Sequence, residues 1–293
     1  LEIHEGEDDL VAASFGRGFY IVDDYSPIRE VSQDFLSKDA HFFSVKDALQ
    51  FVIASPEKSA TGHNFFTSPN PPYGVKLSYY LKDGLISKEE KRQKEEKSKF
   101  NRNESINYPS KDQLDEEIKE EKPKIFLTIE SLSGDVVRRV EGNNSKGYNE
   151  TYWNLRTYSY RNIEDENNYS GPLVPPGTYN VHLSKYENNT FTELTEKQSF
   201  EVIQYGSKST QKERFDLYNF QLKFDKLFSD FEKLVDDIDD AIEDVNGEIN
   251  TVINSKSATN VNYMHMKKST LMDLRMILTG KLSSNYADVF SGS

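Results

Sequence analysis

DDLVAASFGRGFYIVDD, residues 8–24, is the stretch on which the reading of this chain turns. Leu10–Ala13 is an apolar run preceded by Asp8 and Asp9. Phe19–Val22 is a second run, bounded by Gly18 and by Asp23 and Asp24. Gly16 and Gly18, with Arg17 between them, supply the backbone freedom of a tight turn. The stretch predicts two short strands, with Arg17 paired to a neighbouring acid and locking the turn. Two strands alone are marginal in water and need others to bury a face. No compact strand repeat follows, so residues 1–30 are expected to be the last strands of a larger β-domain.

Working outward, residues 31–69 read as a connector. Its apolar residues, Phe35, Phe42, Phe43 and Phe51 among them, follow no period, and Ser44–Gln50 fits a helical turn or a strand equally. Ser68-Pro69-Asn70-Pro71-Pro72 is stiff, because proline fixes φ and biases its predecessor away from helix. Val75–Leu81 opens the next unit as a strand. A dense mixed-charge segment about 84–122 then predicts a solvated helix or a disordered loop. Lys124–Glu130 and Val136–Val140 form a hairpin around Ser133-Gly134-Asp135. Tyr148–Leu155 is an aromatic strand with Trp153 as the core anchor. Pro175-Pro176-Gly177 turns into Thr178–Leu183, where Tyr179, Val181 and Leu183 alternate with polar residues. His182 falls on the polar side and is expected to be exposed. With Phe191–Leu194 and Ser199–Val202, about seven strands make a β-sandwich over 70–205. Beyond Gly206 apolar residues recur by threes and fours from Phe220 to Val252, and again from Met264 to Leu282. This predicts an antiparallel helical hairpin over 206–293.

Four ordered strings carry a family resemblance: residues 8–24 with the Pro27-Ile28-Arg29 exit, Asn70–Gly74, Trp153–Arg156, and Gly171–Tyr179. Together they resemble the closing blade of the secreted BNR-repeat, sortilin-like β-propellers and the Ig-like domain of flagellar hook-capping type that comes after it. Ser14-Phe15 stands where that family usually has Thr-His. The resemblance covers 8–30 and 70–205, not the C-terminal third. It implies the end of a β-propeller followed by an Ig-like β-sandwich; with the hairpin read from periodicity over 206–293, the fold expected is mainly β with a C-terminal α-helical hairpin. It also implies an extracellular, periplasmic or bacterial cell-surface location, and a parent related to glycosyl hydrolases.

Composition sets bounds. The balance of 36 basic and 49 acidic residues gives a net charge of −13, which argues against nucleic acid as a partner. There is no cysteine, hence no disulfide or thiol chemistry. No apolar run reaches the ~18–20 residues of a membrane span. His4, His41, His63, His182 and His265 lie at no metal-ligand spacing. The acidic run Asp236–Asp244 lacks the frame of a calcium loop and reads as a solvated helix face. Asp8-Asp9 and Asp23-Asp24 could be compared with a glycosidase pair, but acids beside strand ends more often form turns. Gly16-Arg17-Gly18 is no phosphate loop, since it lacks the further glycines. No Gly-x-Ser-x-Gly is present.

No catalytic, cofactor or metal residues are therefore expected. Gly16, Arg17, Gly18, Asp23, Asp24, Trp153, Pro175, Pro176, Gly177 and Tyr179 are expected to be structural. The leading expectation is a non-catalytic C-terminal region that closes its own propeller, in a parent that binds or acts on glycan. One alternative is a protein–protein interaction subunit of a cell-surface or outer-membrane assembly, using the 206–293 helices and the charged arm at 88–121. Another is a carbohydrate-binding module using Tyr158, Tyr160 and Tyr169.

Overall fold

The computed structural model describes residues 1–16, 18–52, 71–160, 171–206, 208–254 and 261–280. The chain divides into two units: Leu1–Tyr158 with Pro172–Tyr218, and Ser159–Gly171 with Asn219–Ser293.

The first unit opens with an antiparallel sheet of β1 (Glu2–His4), β2 (Asp9–Ser14) and β3 (Gly18–Val22), in that order. Two single-turn helices follow, α1 (Ser26–Arg29) and α2 (Gln33–Ser37). Pro27 sits in the first turn of α1, where a missing N–H costs nothing. Ser32 caps α2 by accepting from the Phe35 amide.

Next come β4 (Ala40–Phe42), β5 (Ala48–Gln50), β6 (Val75–Leu81), the helices α3 (Lys88–Asn101) and α4 (Lys111–Lys119), and then β7 (Lys124–Ser131), β8 (Val136–Gly142), β9 (Gly147–Trp153), β10 (Gly177–Glu187), β11 (Thr190–Glu193) and β12 (Gln198–Gln204). They form two sheets, one ordered β4-β6-β9 and the other β5-β12-β10-β7-β8 with β11 on β10. Each of these pairs is antiparallel except β5 with β12.

One core joins the two sheets. Val75, Leu77, Tyr79 and Leu81 of β6 enter it from one side, and Ile125, Leu127, Ile129, Val181, Leu183, Phe200 and Val202 from the other. The period of two in each strand delivers these side chains to one face. Each fully buried aliphatic contributes roughly 1.5–3 kcal/mol. Gly74 marks a close approach: a Cβ there would lie 1.9 Å from the Trp153 carbonyl oxygen.

Two expectations change here, and a third, the helix-or-loop alternative for the charged segment, resolves to helix. Residues 31–69, read as a connector, supply β4 and β5, which join opposite sheets through His41↔Tyr80 and Leu49↔Ile203. Strands of three residues carry no legible alternation; their partners define them. The charged segment about 84–122 forms α3 and α4. Both open on capping boxes, at Ser87 with Glu90 and at Ser110 with Gln113. Arg92 clamps Glu117 at 2.7 and 2.9 Å between the two helices. Finally, the fold is mixed α/β rather than mainly β, with about 39% helix against 30% strand. The insertion helices and one very long C-terminal helix account for the difference.

That helix is α5 (Gln211–Asn254), which passes from the first unit into the second. With α6 (Val261–Thr279) it makes up the C-terminal helical region. In the second unit Ser159 and Tyr160 are tied to α5. Asp225 accepts from the Ser159 hydroxyl at 3.1 Å and from the Tyr160 amide at 2.6 Å, and Ser229 donates to the Tyr160 carbonyl at 2.6 Å. No described helix is long and apolar enough to cross a membrane.

Candidate functional site: the N-terminal hairpin and the cleft beside it

The hairpin register runs from Leu10↔Val22 to Ser14↔Gly18, which leaves a three-residue loop at 15–17. Gly16 has φ +75° and Gly18 φ +104°, with open space around both. Backbone conformation, not crowding, therefore selects glycine at these positions. Arg17 lies outside the described residues. β3 is an edge strand exposed along its whole length, with Phe19, Tyr20, Ile21 and Val22 between 48% and 77% accessible. Its alternation puts Phe19 and Ile21 on one face and Tyr20 and Val22 on the other, so apolar side chains reach solvent from both faces.

The open end of the hairpin is clasped by cations. The Lys46 ammonium lies 3.1 Å from the Asp8 carboxylate and 2.9 Å from that of Asp24, and it donates to the Glu7 carbonyl at 2.7 Å. Arg29 also pairs with Asp8, and its guanidinium stacks 4.6 Å from the Tyr25 ring centre. The Asp24 carboxylate accepts from the Ser26 hydroxyl at 2.6 Å. Asp8 and Asp24 both hold positive φ, at 59° and 52°, a conformation aspartate tolerates better than most residues. Burial opposes ionisation of Asp24, but the Ser26 hydrogen bond and Lys46 outweigh it, and its carboxyl stays below the usual range. An ionised, cation-bound carboxylate is a poor general acid, so this geometry gives no support to a glycosidase pair here.

Beside the clasp lies a cleft of about 460 Å³. Val22, Tyr25, Pro27, Ile28, Phe35 and Phe43 line one part of it; Lys76, Tyr80, Tyr148 and Glu150 form its floor, and Asp23 and Asp24 its border. The floor is the face of the β4-β6-β9 sheet opposite the core, where the pleat places Lys76, Ser78 and Tyr80. Lys76 pairs with Glu150 at 3.1 Å, and the Tyr148 hydroxyl lies 3.0 Å from the Ser78 hydroxyl and donates to Glu150 at 3.2 Å. Burial would lower the Lys76 pKa, but Glu150 overrides that and raises it. Phe35 packs its ring against His41, Tyr80 and Phe43 at 4.7, 5.4 and 5.7 Å between centres. The cleft is apolar, and its lysine and glutamate neutralise each other. Such a surface can hold an apolar group or a neighbouring segment, and it carries no activated nucleophile.

The other expected structural residues gather elsewhere, in the core of the same unit. Trp153 is 1% exposed; its indole N–H donates to the Arg156 carbonyl at 2.8 Å, and its ring meets Tyr179 and Phe200 nearly edge-on. The Tyr179 hydroxyl donates to the Pro175 carbonyl at 2.7 Å, and burial raises the phenol pKa. The Pro176 carbonyl accepts from Gln211 at 3.3 Å, and Gly177 opens β10.

His182 departs from expectation. It is 4% exposed, with Glu130 at 3.9 Å from one ring nitrogen and Glu193 at 3.7 Å from the other. The polar side of β10 is itself covered. In the acidic run Ile238 is buried, as is Val245 just after it, and Asp239 binds Arg275. Among the described residues, no group of three histidines or acids could hold a metal ion. His63 and Tyr169 lie outside the described residues. Lys46, Lys76 and Glu150 escaped the sequence reading, and Arg29 entered it only as part of the Pro27-Ile28-Arg29 exit, because no local spacing links Lys46 to acids 22 and 38 positions away.

No family model, curated protein or solved structure matches this chain.

Proposed function

We propose that this chain is the non-catalytic C-terminal region of a secreted BNR-repeat, sortilin-like propeller protein. In this reading β1–β3 end the propeller, the two-sheet unit is an Ig-like sandwich, and the helices are an accessory element. Its work is structural: it closes the propeller and docks the accessory elements, in a cell-surface or secreted parent that acts on or binds glycans. One observation carries the reading, the three-stranded sheet whose edge strand β3 bares apolar side chains on both faces. A sheet this small cannot bury its own surface and calls for a neighbour.

The strand order supports the Ig-like part. A β8-β7-β10-β12 sheet beside a β4-β6-β9 sheet is the order that a C′-C-F-G and A-B-E arrangement of an immunoglobulin-type sandwich calls for. The hydrogen bond from Tyr179, near the start of β10, to the Pro175 carbonyl four residues upstream has the form of that fold's tyrosine corner. The chain departs from antibody domains in lacking cysteine and in placing its Trp on β9 rather than β7. The carbohydrate-binding alternative draws less support, because Tyr158 is engaged: its hydroxyl accepts from the Arg139 amide at 2.8 Å and its ring lies under Arg138.

The test is to purify the native polypeptide that carries this chain and map its peptides. Blade-length repeats upstream of residue 1 are expected. A native polypeptide without them overturns the reading.

A further inference from the structure

The two C-terminal helices differ in length by more than a factor of two. At 1.5 Å per residue the 44 residues of α5 span about 66 Å, and the 19 of α6 about 28 Å. The Arg275–Asp239 pair, with a second contact of 2.9 Å, fixes their antiparallel register. One residue up for one residue down, Thr279 then stands level with Val235. The buried apolar residues of α5 agree: Val235, Ile238, Val245 and Ile249 all lie within the covered stretch. The same stripe continues beyond it as Phe220, Phe224, Leu227, Phe231 and Leu234, at alternating steps of four and three. Of these, Phe220, Phe224, Leu227 and Leu234 are exposed. Among the described residues, Ser159 and Tyr160 bind α5 at Asp225 and Ser229, on the side of the helix away from the stripe.

We propose that this bare stripe pairs antiparallel with the same stripe of a second copy of the chain. Charge selects both the partner and the direction. Asp236–Asn254 carries seven acids and no Lys or Arg. A parallel pair would stack those acids against their own copies; an antiparallel pair sends them to opposite ends. With the two-fold axis passing between Asp225 and Lys226, Phe224 faces Leu227 of the second copy and Phe220 faces its Phe231. In that register Lys223 flanks the seam opposite Asp230 of the second copy, and symmetry makes the pair twice. The interface is isologous, needs no further ligand, and stands independently of the propeller reading.

Sedimentation velocity of the full chain over a concentration series tests this. A reversible dimer is expected. Leu227→Glu, at an exposed site, should give a monomer with unchanged helix content. Lys223→Glu or Asp230→Lys alone should each weaken the dimer about tenfold, and the two together should restore it. A full chain that stays monomeric overturns the proposal. So does a chain that dimerises only when cut after Gly280, since its own residues 281–293 would then be the cover. A dimer indifferent to Leu227→Glu, or a double charge swap that fails to restore affinity, overturns it as well.

Discussion

Gly74→Ala tests the close approach of β6 to β9 at the edge of the two-sheet core. Gly74 has φ +122°, and a Cβ built there falls 1.9 Å from the Trp153 carbonyl oxygen and 2.8 Å from its carbonyl carbon. Real Cβ contacts do not come under 3.0 Å, so the start of β6 must part from the end of β9 by about 1.1 Å. The atoms in the way are backbone and cannot swing aside. Three costs add: about 1–2 kcal/mol for a left-handed non-glycine residue, about 1 kcal/mol for the weakened Val75–Trp153 ladder, and about 1–3 kcal/mol for disturbed packing around a buried indole. Together they predict a loss of about 3–6 kcal/mol. Gly134→Ala is the control. Gly134 also has positive φ, at +89°, but nothing lies within 4 Å of its built Cβ, so only the conformational cost of about 1–2 kcal/mol applies. Trp153 is the sole tryptophan, and urea melts monitored by its fluorescence read this core directly. Equal losses in the two variants would refute the close-approach argument.

Tyr179→Phe leaves the Pro175 carbonyl without its donor and should cost about 1–2 kcal/mol in the same urea melts, whereas removal of an exposed partner such as the Tyr186 hydroxyl should cost less than half of that. Lys46→Met removes the clasp at Asp8, Asp24 and Glu7; after solvent screening the loss is about 1 kcal/mol, seen as faster amide exchange across β2 and β3 with the Trp153 melt unchanged. The Asp24 carboxyl titrates below its unfolded value near 3.9, so its contribution is complete above about pH 5 and fades as pH falls through the lower folded value. Asp24→Asn should therefore loosen the hairpin at pH 7 and make progressively less difference as the pH falls through the folded value, by the same exchange measurement. Arg275→Gln should speed exchange in α6 and leave the sandwich melt where it is.

How much of this fold is legible in the sequence depends on the range of each signal. Strands β6 to β12 announce themselves by alternation and turn residues, and Val75–Leu81 matches β6 end to end. α5 is legible because its apolar stripe repeats over turn after turn. β4 and β5 are not legible, since three residues show no period and their neighbours Tyr80 and Ile203 lie far along the chain. The Ser87 and Ser110 capping boxes were legible signals, masked by the dense charge around them. The burial of His182 is a tertiary effect: alternation identifies the side of β10 away from the core, but not the Glu130 and Glu193 side chains that cover it. The clasp at Lys46 is likewise a meeting of three distant segments. The cleft floor is half legible, because the outward-facing residues of β6 can be counted while the helices lying beside them cannot.

Hydrogen–deuterium exchange at the amides of Gly18–Val22, compared between this chain alone and the native polypeptide that carries it, tests the central claim most directly. If β1–β3 are the end of a larger β-domain, the outward-pointing amides of β3, the alternate ones that do not bond to β2, exchange fast in the isolated chain and are protected in the native polypeptide by the next strand or blade. Equal exchange in both, or protection already present in the isolated chain, would contradict the account.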